Sequence, residues 1–283
     1  MNNNVLEVYN LTKEFNNFKL NNIPFSLQKG FIMGLIGKNG TGKATTIKLI
    51  LELLEKDNGL VKIFGNDIMD TYDFKQDIAV VFDNLFFVED WKISDVESAL
   101  SPFYKKWDTN TFHTYLKKLN LLQNKKVKEL SKGMKMKLML AVALSHKARL
   151  LILDEPTSGL DPVARDELLD ILLEYIEDEN NSVLFSTHIT SDLDNIADFL
   201  TIINNGKVFY TGTKDQLFER YCIAKGGVEE LSSEMENHLI GIQRRKTGFS
   251  ALLDVQNMKY ITEDIIIEKA IIDEILIHID LKK

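Results

Sequence analysis

Short, almost wholly apolar runs alternate with amphipathic stretches along most of this chain, and the two patterns predict different elements. Ile32-Met33-Gly34-Leu35-Ile36, Leu150-Leu151-Ile152-Leu153 and Val183-Leu184-Phe185 are continuous apolar runs of the kind that fill parallel strands covered on both faces. Val5 to Val8, Phe25 to Leu27, Val61 to Phe64 and Ile78 to Phe82 carry the β-branched and aromatic residues expected of further strands. Helical spacing takes over between them. Ile47, Ile50, Leu51 and Leu54 recur at i, i+3, i+4 and i+7, Phe112, Tyr115, Leu116 and Leu119 form a second stripe, and another helix is expected from about Val163 to Glu177. Ser94 and Asp108 read as N-caps that open the helical region.

Strand alternating with helix predicts an α/β fold with a doubly wound, parallel sheet. Ligands of such sheets bind outside the carboxyl ends of the strands, and the polar residues after the three apolar runs are Gly37, Asp154-Glu155 and Ser186-Thr187-His188. Three strand ends are therefore expected to converge on one site. From about Ser94 a helical insertion interrupts the sheet, and beyond about Thr211 the pattern no longer matches it. The tail carries short helix and strand signals of its own and closes on an amphipathic helix marked by Ile272, Ile275, Leu276 and Ile279. It reads as a small appended domain.

At 283 residues the chain has room for one large domain and a small one. Its 42 carboxylates outnumber its 34 Lys and Arg, a net charge of -8 that argues against a surface built for nucleic acid. One cysteine, Cys222, can form neither an internal disulfide nor a structural zinc site, which points to a reducing compartment. The N-terminus lacks the basic-then-apolar pattern of a secretory signal, and no stretch approaches the roughly 18 to 20 apolar residues that span a bilayer. A soluble chain is expected, with any membrane role supplied by a partner.

The chemistry is concentrated at the predicted strand ends. Gly37-Lys38-Asn39-Gly40-Thr41-Gly42-Lys43, between a strand and a helix, is a phosphate-binding P-loop: the glycines let backbone N–H groups turn toward phosphates, Lys43 adds a point charge, and the helix presents its positive end. The next position, where a Mg²⁺-coordinating hydroxyl is expected, is Ala44. Asp154 ends an apolar strand, where an acid is costly to bury unless it serves a cation, and so is placed to hold Mg²⁺. Glu155 beside it is placed as general base for a water in line with a γ-phosphate; a strand-end capping pair is the alternative. His188 reads either as a γ-phosphate contact or as a structural histidine. Ser131 and Gly133 in Leu130-Ser131-Lys132-Gly133-Met134 make a second anion-binding helix start, or a plain N-cap. Two such sites in one chain make sense if the second completes the pocket of another subunit.

These motifs, in this order, resemble the ATP-binding subunit of an ABC transporter over about Val5 to Thr213. Gly37 to Lys43 looks like Walker A, Leu130 to Met134 like the signature motif, and Leu150 to Pro156 like Walker B with its glutamate. Ser158-Gly159-Leu160-Asp161 looks like the D-loop and His188 like the switch histidine. The resemblance implies a P-loop NTPase fold with an N-terminal antiparallel β portion, an ATPase domain over 1–212 with a helical subdomain at about 84–148, and a small α+β appendage at 213–283. It also implies catalytic roles for Glu155, His188 and Lys43. Contacts to ATP are implied for Gly37, Lys38, Asn39, Gly40, Thr41, Gly42, Lys43, Ala44 and Thr45, and for Ser131 and Gly133 of the other subunit in a head-to-tail homodimer or heterodimer. Phe15 matches the aromatic that stacks on adenine, Phe18 is a second candidate, and a Phe packing its own strand is the competing reading.

Asp154 and Asp83 are the implied Mg²⁺ ligands. Family members usually carry Ser or Thr at position 44 and Gln near 83, so both protein groups expected to meet Mg²⁺ have changed. Lys132 and Met134 likewise replace Gly and Gln of the signature, and Lys132 is expected to add charge toward the γ-phosphate. The implied partner is a separately encoded transmembrane permease, docked near Leu85-Phe86-Phe87-Val88 and Trp91, which places the chain in the cytoplasm, peripheral on the inner face of the cell membrane. Core packing is the other reading of those aromatics. Lys132 to Lys135 and Phe103 to Asp108 resemble bacterial exporters of the bacitracin and lantibiotic type. The alternative is an ABC-type ATPase acting on ribosomes or DNA, against which stand the single nucleotide domain, the absence of heptads and the acidity.

Overall fold

The computed structural model describes residues 3–70, 73–83 and 87–281. In chain order, β1 (Asn4–Phe15), β2 (Phe18–Gln28) and β3 (Ile32–Ile36) lead into α1 (Lys43–Ile50), followed by β4 (Asn58–Ile63), β5 (Asn66–Asp67) and β6 (Ile78–Val81). The helical insertion holds α2 (Ile93–Leu100), α3 (Thr109–Lys118) and α4 (Lys132–Ser145). Next come β7 (Leu150–Asp154), α5 (Pro162–Ile176), β8 (Ser182–Thr187), α6 (Thr190–Ile196), β9 (Phe199–Asn204) and β10 (Lys207–Thr213). The tail folds as α7 (Lys214–Arg220), β11 (Tyr221–Gly226), α8 (Ser233–Glu236), β12 (Leu239–Arg245), β13 (Gly248–Asp254), β14 (Ile266–Lys269) and α9 (Ile272–Leu281).

The central sheet has the order β10-β9-β3-β8-β7-β6 and is parallel except for the β9–β10 pair. Its apolar runs are buried on both faces because each strand alternates between two cores. Ile32 and Ile36 of β3, Leu151 and Leu153 of β7, and Val183 and Phe185 of β8 face the helices. Met33 and Leu35, Leu150 and Ile152, and Leu184 face the antiparallel sheet β2-β1-β4-β5. Each fully buried Leu, Ile or Val of this kind contributes about 1.5–3 kcal/mol. Gly34 sits where α6 crosses β3: a Cβ there would lie 2.6 Å from Leu193 and 3.0 Å from Leu200, so glycine lets the helix after His188 pack directly on the sheet.

The helical stripe of the insertion is buried as expected, with Phe112 and Leu116 in the core and Asp108 capping α3 by accepting from the Thr111 N–H at 3.1 Å. Ser94 does not cap α2. The helix starts at Ile93 with Lys92 as its N-cap, two residues before the expected cap, and it is Asp95 that accepts the Lys92 N–H at 2.8 Å. The stripe Ile47 to Leu54 outruns its helix, because Glu52 adopts a left-handed φ of 56° and ends the turn pattern after Ile50. Phe87 and Trp91 pack against the main core, and Leu85 and Phe86 lie outside the described residues.

The tail forms a third sheet, order β12-β13-β11-β14, antiparallel throughout. One face closes its own small core around Cys222, Phe249 and Leu253. The other face, with Ile223 and Leu252, joins Ile272, Ile275, Leu276 and Ile279 of α9 in the main core. The C-terminal helix is thereby seated on the edge of the strand ends described next.

Candidate functional site

Because β3, β7 and β8 run parallel, their carboxyl ends emerge side by side, and a cavity of about 490 Å³ opens above them. Its walls are Phe18, Asn39, Gly40, Gly42, Lys43, Ala44, Thr45, Asp83, Asp154, Glu155, Ser158 and His188. The volume lies within the range of small-molecule sites.

The loop from Gly37 to Lys43 wraps around a buried ammonium. Lys43 is 5 % exposed, donates to Gly37 O at 2.6 Å and to Lys38 O at 3.3 Å, and faces Glu155 Oε1 at 3.1 Å. That arrangement needs glycine at position 37, where a Cβ would stand 2.3 Å from Ile203 O and 2.6 Å from Thr41 Oγ1. Gly42, at φ 118°, turns the chain into α1 without any side-chain cap, so the helix keeps first-turn N–H groups for an anion. Thr46 is turned inward instead, donating to Gly42 O at 2.9 Å. Lys38 leaves the cavity, and its ammonium pairs with Asp280 of α9 at 2.6 Å.

Across the cavity, Asp154 Oδ1 accepts from Ser186 Oγ at 2.9 Å. Burial pushes the Asp154 carboxyl above the usual carboxylate range; the Ser186 bond opposes this, the charge of Glu155 adds to it, and Lys43 pulls it back. Glu155 is held in a left-handed backbone, φ 52°, fixed by its N–H donating to Ser186 O at 2.9 Å. Non-glycine residues held there store about 1–3 kcal/mol and concentrate at functional sites. Glu155 Oε2 meets His188 Nδ1 at 2.5 Å and accepts from the His188 N–H at 3.3 Å. Its other oxygen, Oε1, is buried and accepts no hydrogen bond, although the Lys43 charge is beside it.

The expected residues do not all meet. Phe18 rather than Phe15 lines the cavity; Phe15 lies beside it, ring centroids 6.4 Å apart, and is 41 % exposed. Ser131 and Gly133 lie outside the lining: Ser131 Oγ caps α4 by accepting from the Met134 N–H at 3.2 Å, and Gly133 packs near Ala164 and Leu160. Lys132 points to Asp83, Nζ to Oδ1 2.8 Å.

Ser158, expected only as the start of a D-loop, lines the cavity, and sequence reasoning gave no role to Asp192, buried in α6, which accepts from Thr157 Oγ1 at 2.6 Å and faces Arg165 at 3.6 Å. An acid inside the helix that follows His188 was the available signal. Asp154, Asp83 and the orphaned Glu155 oxygen are hard donors that suit Mg²⁺. Among the described residues, no group of three or more His, Cys, Asp or Glu could hold a metal by itself. That fits a cation that takes most of its ligands from phosphates and water.

Comparison with known proteins gives the same picture. The ABC transporter family profile matches residues 20–158. The lantibiotic transport ATP-binding protein SrtF of Streptococcus pyogenes is 30% identical over 85% of this chain and 100% of its own length. The ABC transporter ATP-binding protein YtrB of Bacillus subtilis is 27% identical over 77% of this chain and 75% of its own. Among solved structures, the ATP-binding subunit of an ABC transporter superposes with a TM-score of 0.69 at 28% identity, covering 76% of this chain and 92% of its own.

Burial at Asp154 has a consequence for stability. A carboxyl whose folded pKa lies above its unfolded value contributes stability that is present below the unfolded pKa and lost as pH rises through the folded pKa. Asp154→Asn is therefore expected to melt at a higher temperature than the parent chain at pH 7 without ligand, the difference shrinking as pH falls through the raised folded-state pKa toward the usual aspartate value and changing no further below it. Thermal melts across that range check it, and a lower melting temperature at pH 7 would refute the burial argument.

Proposed function

The chain belongs to the ABC transporter ATP-binding proteins, and from that premise we propose that it hydrolyses ATP as the energising subunit of a multi-subunit bacterial exporter, closing head to tail on a second nucleotide-binding subunit. The observation that carries the catalytic part is Glu155, strained in its backbone and held between Lys43 at 3.1 Å and His188 at 2.5 Å at the mouth of the glycine loop.

In this reading the γ- and β-phosphates bind the loop N–H groups and the first turn of α1, and they take the Lys43 ammonium away from Glu155. Glu155 is then free to accept a proton from a water as its oxygen bonds to the γ-phosphorus and the bond to the β-phosphate oxygen breaks, leaving ADP and phosphate. His188 keeps the carboxylate oriented. Asp154 and Asp83 would hold Mg²⁺, which supplies charge neutralisation at the phosphate oxygens when bound. Phe18, on the cavity wall, and Phe15 beside it are the candidates for the adenine contact. Ser131 and Gly133, outside this cavity, are assigned to the γ-phosphate bound by the opposing subunit.

The permease requires a docking place on this chain. Among the described residues no helix is long and apolar enough to cross a membrane. A mostly apolar groove of about 310 Å³ lies between Leu51, Leu53, Phe74, Phe82 and Tyr104, with Leu53 62 % exposed. This groove is assigned to a helix of the membrane subunit in place of the expected segment around Leu85-Phe86-Phe87-Val88 and Trp91, because Phe87 and Trp91 pack against the main core. Residues 213–283 are read as an accessory domain on the ATPase domain 1–212. The export direction rests on the similarity to SrtF, a lantibiotic transport ATP-binding protein.

Glu155→Gln is expected to lower phosphate release by about 10²–10⁴-fold while ATP binding persists, and the tagged variant should co-purify with an integral membrane protein from its native cells. An unchanged turnover would remove Glu155 as base; recovery of ribosomes or DNA with no membrane protein would remove the transporter assignment. Ala44 supplies no oxygen to a cation, so Ala44→Ser should raise turnover when Mg²⁺ is scarce and matter less when it is abundant. ATPase titrations against Mg²⁺ test this, and equal turnover at low Mg²⁺ would sink it.

A further inference from the structure

Lys132 stands where three segments meet. It is the first residue of α4, its ammonium lies 2.8 Å from Asp83 Oδ1 on the loop leaving β6, and its stem crosses the turn after β7. A Cβ added at Gly159 in that turn would meet the ammonium at 3.3 Å and the aliphatic carbons at 3.6 and 3.8 Å. Gly159 has a φ of 71°, so the turn is itself of a kind that glycine favours, and it leaves the lysine a passage. Asp83 Oδ1 is buried and accepts no hydrogen bond, which leaves the ammonium as the group that balances its charge.

The charge arrangement in the cavity gives this pair its meaning. Asp83, Asp154 and Glu155 all line the same space. Glu155 is flanked by Lys43 and His188, and Asp154 is met by the neutral hydroxyl of Ser186. Ala44 contributes a methyl group. A divalent cation arriving with phosphates therefore finds Asp154 and Asp83 as its charged protein donors, and at Asp83 it must displace an ammonium.

We propose that Lys132 is a positioning residue that sets the affinity of the nucleotide site for its divalent cation: it holds Asp83 in an ion pair while the cation is absent and gives it up when the cation binds. The inference rests on the nucleotide-binding reading above. Its direction is definite, because an ammonium and a metal ion draw on the same carboxylate, so Lys132 weakens cation binding. Its size is modest, because both side chains are about half exposed and such pairs are weak in water.

The test uses Mn²⁺ as a spectroscopic probe, with free Mn²⁺ followed by electron paramagnetic resonance during titration of the full chain with a non-hydrolysable ATP analogue. Lys132→Met should tighten Mn²⁺ by about two- to fivefold, the range that an exposed ion pair allows. Lys132→Arg should keep the parent value, since it keeps the charge. Asp83→Asn should weaken Mn²⁺, and Lys132→Met made in that background should then add nothing. An unmoved constant in Lys132→Met, or the same shift with and without Asp83, would overturn the proposal. Binding of a fluorescent ATP analogue in EDTA separates the two levels: no binding by the parent chain overturns the nucleotide reading together with this one, whereas binding with an unmoved Mn²⁺ constant overturns only the part assigned to Lys132.

Discussion

A lysine ammonium that is 5 % exposed dictates the form of this site. Taking an isolated ammonium out of water costs several kcal/mol even after relaxation, so the chain around Lys43 must turn its own oxygens inward. Gly37 O and Lys38 O do so, and the required curl excludes a side chain at Gly37 because Ile203 O and Thr41 Oγ1 already occupy the space. The third partner is Glu155, brought over by the strained turn that follows β7. Loop, glycine, strand end and carboxylate are consequences of one buried charge. An anion that offers better oxygens than these takes over an ammonium already desolvated and aimed.

The parts that sequence reasoning reached are those in which a local pattern and a global requirement coincide. Ile32 to Ile36, Leu150 to Leu153 and Val183 to Phe185 are apolar at every position because both faces of their sheet are covered, and such runs can be read without knowing what covers them. Gly37 to Lys43, Asp154, Glu155 and His188 follow these runs at once, so their convergence was implied by parallel pairing. Boundaries were less legible. Ser94 has the right chemistry for a cap, but Asp95 with the Lys92 N–H places the cap two residues earlier. Leu54 continued a stripe that the left-handed Glu52 had already ended. The β9–β10 hairpin closes at Asn205-Gly206 with φ of 46° and 72°, a dipeptide that favours such a turn.

What sequence could not supply is any pairing of side chains distant in the chain. Lys132 looked like an addition to a phosphate site, and its ammonium instead lies on Asp83. Phe15 and Phe18 are three residues apart on neighbouring strands, and only the bend between β1 and β2 decides which ring faces the loop. The tail is the strongest case. Its helix was legible from Ile272 to Ile279, yet nothing in that periodicity says where the helix docks. Asp273 accepts from Thr190 Oγ1 at 2.5 Å, the carbonyl of Ile279 accepts from Asn204 at 3.0 Å, and Asp280 meets Lys38 of the loop. The C-terminal helix thus touches the phosphate loop, the end of β9 and the helix that follows His188.

The cations around the cavity impose an order on events that the static contacts already contain. Glu155 faces Lys43 on one oxygen and His188 on the other, and in the proposed reaction both contacts bear on whether it can take a proton from water. Phosphates bound as proposed would relieve the first of these restraints by competing for the same ammonium and would leave the second in place as an orienting contact. In the proposed reaction the access of water to the Glu155 carboxylate thus depends on an anion in the loop, without any moving segment being required. On that proposal a carboxylate released only by the phosphates it is to act upon is protected from idle chemistry, and Ala44 leaves that protection alone: its methyl group offers no oxygen to a cation but takes no part in an exchange between Lys43, Glu155 and phosphates.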